Sequence, residues 1–134
     1  MYTMMQVCRE LDMTYQTLKF YCNEGLVPNV KRDKNNRRIF DEKDVKWIHD
    51  HSCLKKCGMS IQEMKEYLAL CLEGESTIKA RKEMLDKKQK ALREEIAELE
   101  KSIDYIDWKQ NFYDDVLSGK RPYVSNLISA NENE

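Results

Sequence analysis

The chain has 134 residues, room for one ordinary domain or a small domain with an extension, and 35% of them are charged, so much of it must face solvent. No stretch nears the roughly 18–20 apolar residues of a membrane span, and "MYTMMQVCRE" lacks the basic start and apolar core of a signal peptide, so a cytoplasmic protein with no membrane partner is expected. Net charge is −1 but uneven: residues 14–39 hold six Lys/Arg against two Asp/Glu, a basic region able to dock on a polyanion.

Met4, Val7, Cys8 and Leu11 share one apolar face and predict a helix over Met4–Leu11. After the break at Asp12-Met13, Thr14 can cap a second helix, Tyr15–Glu24. Its Leu18 and Cys22 face one way, and Tyr15, Gln16, Lys19 and Asn23 another. Two short helices joined by a tight turn read as helix-turn-helix. The next stretch, "LVPNVKRDKNNRRIF", predicts a small hairpin turning at Asn35-Asn36, with Lys31, Arg32, Lys34, Arg37 and Arg38 as basic residues. Asp41 can cap a third helix, Glu42–Cys57. Ser60 and Glu63 form a capping box for a fourth, Ile61–Leu72, whose apolar face is Ile61, Met64, Leu68, Cys71 and Leu72. Glycines 25, 58, 74 and 119 each follow a helical stretch, where a left-handed cap belongs.

The fifth helix, Thr77–Ser118, has no Pro or Gly inside. Ile78, Leu85, Leu92, Leu99, Ile106 and Tyr113 recur every seven residues, with a second row of Lys82, Gln89, Ile96, Ile103, Gln110 and Leu117. A rod of roughly 60 Å cannot bury that seam on a domain of about 75 residues. It calls for a second copy, a homodimer through Leu85, Leu92, Ile96, Leu99, Ile103 and Ile106. The expected fold class is therefore all-α with a small β-hairpin wing. Its parts are a winged helix-turn-helix over 1–74, a coiled-coil helix over 75–118 and a tail over 119–134, in which Tyr123, Val124, Leu127 and Ile128 either dock weakly or stay disordered.

This order of parts suggests a two-fold symmetric reader of double-stranded promoter DNA, with a palindromic site. Tyr15, Gln16, Thr17, Lys19 and Asn23 are candidates for the major groove, Gln16 matching an adenine edge. Lys31, Arg32, Arg37 and Arg38 are candidates for phosphates. No nucleophile–base–orienter set, phosphate loop or cofactor motif is present, so neither an enzyme nor a cofactor is expected. A coiled-coil adaptor without DNA binding is the alternative class; it explains the rod but not the basic wing.

The segments Thr17-Leu18-Lys19-Phe20-Tyr21, Gly25-Leu26-Val27-Pro28, Asn36-Arg37-Arg38-Ile39-Phe40, Asp44-Val45 and "KKCGMSIQEMKEYL" together resemble the MerR family of bacterial transcription regulators, over residues 2–118. The resemblance implies an antiparallel coiled-coil dimer that bends and untwists promoters with overlong spacing, acting with RNA polymerase. By position it assigns phosphate contacts to Lys19, Tyr21 and Arg38, and a further one to Lys55. Lys19 stands where the family has Arg, Arg37 where it has the wing tyrosine, and Phe20 lacks a hydroxyl.

Both histidines and two of the five cysteines lie in "HDHSCLKKCG", residues 49–58. An odd cysteine count without a CxxC pair suits a reducing compartment. His49, Cys53 and Cys57 at i, i+4 and i+8 span about 12 Å of helix, too far for one zinc ion with ligands at roughly 2.0–2.3 Å. Metal-sensing relatives also place a cysteine at the start of the dimer helix, where this chain has Ser76-Thr77-Ile78; a metal sensor remains the alternative within the family, and no metal is expected. A multidrug-type ligand sensor needs a large C-terminal domain, which a 16-residue tail cannot build. Cys8, Cys22, Cys57 and Cys71 read as packing residues. Cys53 shares its helix side with Lys46, His49 and Lys56, and cationic neighbours favour a thiolate. "DVKWIHDHSCLKKCG" and "EGESTIKARKEML" are similar to a thiol-stress and aldehyde-responsive subgroup of the family, which implies that Cys53 is the sensor thiol.

Overall fold

The structure is a computed structural model and describes residues 1–128. It comprises two compact units, Met1–Lys90 and Ala91–Glu134, the second described as far as residue 128. The order is β1 (Tyr2–Thr3), α1 (Met4–Leu11), α2 (Tyr15–Asn23), β2 (Lys31–Arg32), β3 (Arg38–Phe40), α3 (Glu42–Lys56), α4 (Ile61–Glu73), a 3-10 turn (Glu75–Thr77) and α5 (Ile78–Leu117).

The helix starts follow from local chemistry. Thr3, Thr14, Asp41 and Ser60 each accept the backbone N–H three residues on. Gln6, Asp44 and Glu63 return the bond and close capping boxes, so donors that no helical carbonyl reaches are satisfied. Asp12 ends α1 in the left-handed region at φ 50°, and its short side chain tolerates that turn.

The hairpin has a third strand that the sequence reading does not contain. Residues Tyr2–Thr3 pair antiparallel with β3, giving the order β1-β3-β2, with Tyr2 opposite Phe40 and Lys31 opposite Ile39. A two-residue strand has no periodicity to detect. It exists because the basic hairpin folds back beside the N-terminus, and the Tyr2 hydroxyl then donates to Glu42 at 2.9 Å.

The core of the first unit sits where α1, α2, β3, α3 and α4 meet. Val7, Leu18, Leu26, Phe40, Ile48, Met59 and Met64 are almost fully buried there. Truncating one of the larger ones to Ala costs about 2–5 kcal/mol, and Leu18 anchors α2 in this core. His51 is also buried. Its Nε2–H donates to the Leu26 carbonyl at 2.7 Å, and Trp47 Nε1 donates to the same oxygen at 2.8 Å. The ring lies 5.9 Å from Tyr21 and edge-on to Trp47 at 4.8 Å. Burial pushes this imidazole below its ordinary range, and its Nδ1 has no hydrogen-bond partner among the described residues.

Two expected core positions differ. Leu72 is 65% exposed at the end of α4, and Cys57 is exposed at the cap of α3. Periodicity places Leu72 on the inner face, but it falls in the last turn of α4. Cys57 is expected inside because it precedes the Gly58 cap, but the chain turns there at φ 89° and the next side chain, Met59, takes the buried place instead.

Candidate nucleic-acid interface and thiol

Along α2, Leu18 is buried and anchors the helix, leaving Tyr15, Gln16, Thr17, Lys19 and Phe20 exposed. The Thr14 cap also orients Thr17, donating to its hydroxyl at 2.8 Å and leaving the Thr17 hydroxyl proton available. Tyr21, assigned a phosphate contact by resemblance, has its ring packed in the core with 4% of its surface exposed, and burial raises its phenol pKa.

Beside this face stands the wing. Its turn is organised by Asp33, whose Oδ1 accepts the N–H groups of Asn35 at 2.9 Å and Arg37 at 3.0 Å. Asn36 adopts φ 62°, which asparagine tolerates better than most residues. The Arg32 guanidinium donates to the Asn36 carbonyl at 2.9 Å and keeps further N–H groups free. Arg38 donates to Asn23 Oδ1 at 2.7 Å. Asn23 thus clamps the end of α2 to the wing. Arg32, Arg37, Arg38 and Tyr15 line one open groove between wing and helix.

Lys31 is differently placed. Its ammonium pairs with Asp41 at 3.0 Å and Asp44 at 3.8 Å. The bond to Asp41 raises its pKa, while the Asp44 backbone N–H and then Lys31 lower that of Asp41. The ammonium is thus paired with two carboxylates while about half of its side chain, 48%, stays exposed. Lys55 lies exposed near the end of α3.

On α3 both Cys53 and His49 are exposed, with Sγ 4.0 Å from Nε2. Cys8 is buried, Cys22 and Cys71 half-buried. Among the described residues no group of three His, Cys, Asp or Glu side chains is placed to hold a metal ion. No helix among them is long and apolar enough to cross a membrane.

The α4–α5 junction holds residues whose roles the sequence does not reveal. The Thr77 hydroxyl is shared between the carbonyls of Leu70 at 2.6 Å and Gly74 at 2.8 Å, and it accepts Arg81 Nε at 3.0 Å. Arg81 Nη2 donates to the Gly74 carbonyl at 2.6 Å. This explains physically the Gly74, Thr77 and Arg81 of "EGESTIKAR": they tie off the last carbonyls of α4.

An exposed α2 face flanked by a cationic wing defines a winged helix-turn-helix DNA-binding protein. The chain belongs to the MerR family: residues 2–71 match the MerR HTH family regulatory protein and residues 52–108 the MerR DNA-binding region. It is 35% identical, over 84% of its length and 83% of the relative's, to an uncharacterized HTH-type transcriptional regulator of Haemophilus influenzae. It is 40% identical, over 65% of its length and 63% of the relative's, to the HTH-type transcriptional regulator AdhR of Bacillus subtilis. Its fold is similar to HiNmlR, a MerR family regulator lacking the sensor domain, seen bound to promoter DNA. For that structure the TM-score is 0.72 at 33% identity, covering 87% of this chain and 93% of the other. A putative MerR family regulator from Listeria monocytogenes gives 0.77 at 29% identity, covering 90% and 91%. The chain is accordingly a DNA-binding transcriptional regulator and not an enzyme.

Proposed function

We propose that this regulator works as an antiparallel homodimer that bends and untwists a palindromic promoter for RNA polymerase, and that modification of Cys53 by an aldehyde, electrophile or oxidant switches it. The observation that carries the dimer is the α5 seam. Ile96, Leu99, Ile103 and Ile106 are each more than half exposed, an apolar stripe that water penalises unless another helix covers it.

Charge favours the orientation. Residues 78–93 carry seven Lys/Arg against two Asp/Glu, net +5; residues 94–117 carry two against eight, net −6. A basic first half opposes the helix dipole. Two parallel copies would set like charges side by side, whereas antiparallel copies lay each basic half along an acidic one. Each head then grips one half-site, and the fixed distance between heads makes DNA shape part of the recognition.

The switch reading is supported by the exposure of Cys53 beside His49, by the depth of Cys8, and by the likeness to AdhR and to a regulator lacking the sensor domain. The test uses in vitro transcription from the DNA upstream of the protein's own gene. Cys53→Ala should bind that DNA as wild type does and give no change in transcription on formaldehyde or peroxide challenge. A response lost in Cys57→Ala and kept in Cys53→Ala would show the assignment to be wrong.

A further inference from the structure

The exposed end of α3 is bonded to the start of the rod through one side chain. Cys57 N–H donates to the Cys53 carbonyl at 3.1 Å, so the Cys53 backbone is tied to the residue just before Gly58. The Gly58 carbonyl accepts Lys88 Nζ, from the third turn of α5, at 3.3 Å. The same ammonium donates to Glu63 Oε1 at 2.9 Å. That oxygen also accepts the Ser60 N–H at 3.1 Å and so closes the capping box of α4. Lys88 first, and then the Ser60 backbone N–H, hold the Glu63 carboxyl below its usual range. Lys88 is 23% exposed and Glu63 37%, so the pair is partly shielded from water. Together with the Thr77–Arg81 tie, the first turns of α5 are held on the rest of the first unit at Arg81 and Lys88, one near each end of α4.

Two attachments fix a direction where one would leave a pivot. We propose that Lys88 sets the direction in which α5 leaves the head, and through it the spacing at which two heads grip DNA, and that it passes a change at the Cys53 end of α3 to the rod. The second part rests on the dimer and Cys53 readings above. A bulky adduct on Cys53 disturbs the last turn of α3 and the Gly58 carbonyl with it, and the Lys88 bond is what α5 feels of that shift. Lys88 bonds to Gly58 and Glu63 and not to the Cys53 thiol; it is a positioning residue.

The test compares wild type, Lys88→Met and Lys88→Arg as full chains. One arm measures affinity for promoter duplexes whose central spacer is lengthened or shortened by single base pairs. The other measures transcription before and after iodoacetamide alkylation, with the adduct on Cys53 verified by mass. Lys88→Met keeps the stem but not the charge. It should bind the parent duplex within about threefold of wild type, flatten the spacing preference, and cut the alkylated-to-untreated ratio by about fivefold, the low end of ordinary coupling between sites; Lys88→Arg should restore both. An unchanged spacing profile overturns the proposal. A flattened profile with the ratio intact overturns the relay from Cys53. If wild type itself ignores alkylation while Lys88→Met still flattens the profile, the Cys53 reading falls and the positioning role of Lys88 stands.

Discussion

Paired and free cations on the reading face must behave differently toward DNA, and Arg37 and Lys31 provide the contrast. Binding that neutralises phosphates releases counterions, so affinity falls with salt in proportion to the number of cations engaged. Lys19, Arg32, Arg37, Arg38 and Lys55 present cationic groups not paired with a carboxylate among the described residues, whereas Lys31 lies 3.0 Å from Asp41 and 3.8 Å from Asp44. Five cations on each of two heads predict a slope of log affinity against log salt of about −9, roughly a 10⁵-fold loss between 50 and 200 mM. Arg37→Gln removes two of the ten and should bring the slope to about −7, roughly a 10⁴-fold loss over the same range. Lys31→Gln should leave the slope at about −9, because its ammonium does not exchange counterions for phosphate. Fluorescence anisotropy of a labelled promoter duplex across that range measures both. Equal flattening by the two variants would refute the division of labour read from the wing.

Leu99→Glu places a carboxylate in the exposed seam of an already acidic stretch, and sedimentation equilibrium should find monomers; a persisting dimer would place the interface elsewhere. His51 is held neutral by burial, with its imidazole depressed, so it contributes no pH dependence above the ordinary histidine value of about 6.5. As pH falls below that value the unfolded chain binds a proton the fold refuses, and stability should decline by up to about 1.4 kcal/mol per pH unit until the folded pKa is reached. Asp41 and Glu63 also have depressed values, but their losses begin only nearer the carboxylate range of about 4. Denaturant titrations at pH 7.0 and 5.5 should therefore show a loss that His51→Gln abolishes; an identical loss in the variant would place the titration elsewhere. Thr77→Val should cost about 1–3 kcal/mol by stripping the hydroxyl from two carbonyls and Arg81, seen as a lower melting temperature. An unchanged melting temperature would mean that the junction does not depend on that hydroxyl.

The helix starts are legible in the sequence because caps are local: Thr14 and Ser60 act on N–H groups three residues away. The heptad of α5 is legible for a similar reason, since its period belongs to one helix and needs no tertiary information. The helix-turn-helix, basic hairpin and rod, and with them the class of protein, follow from this local grammar. What local grammar cannot reach is which polar group meets which. Asn23 and Lys31 look alike in sequence, each a polar residue in a basic stretch, yet Asn23 is spent orienting Arg38 and Lys31 is spent on Asp41 and Asp44. Cys57 shows the same limit: it lies exposed while Met59, two residues on, fills the core. Pairings across 15, 25 or 30 residues, such as Arg38–Asn23, Lys88–Glu63 and Lys88–Gly58, depend on how the core brings the elements together, and only the tertiary structure decides them.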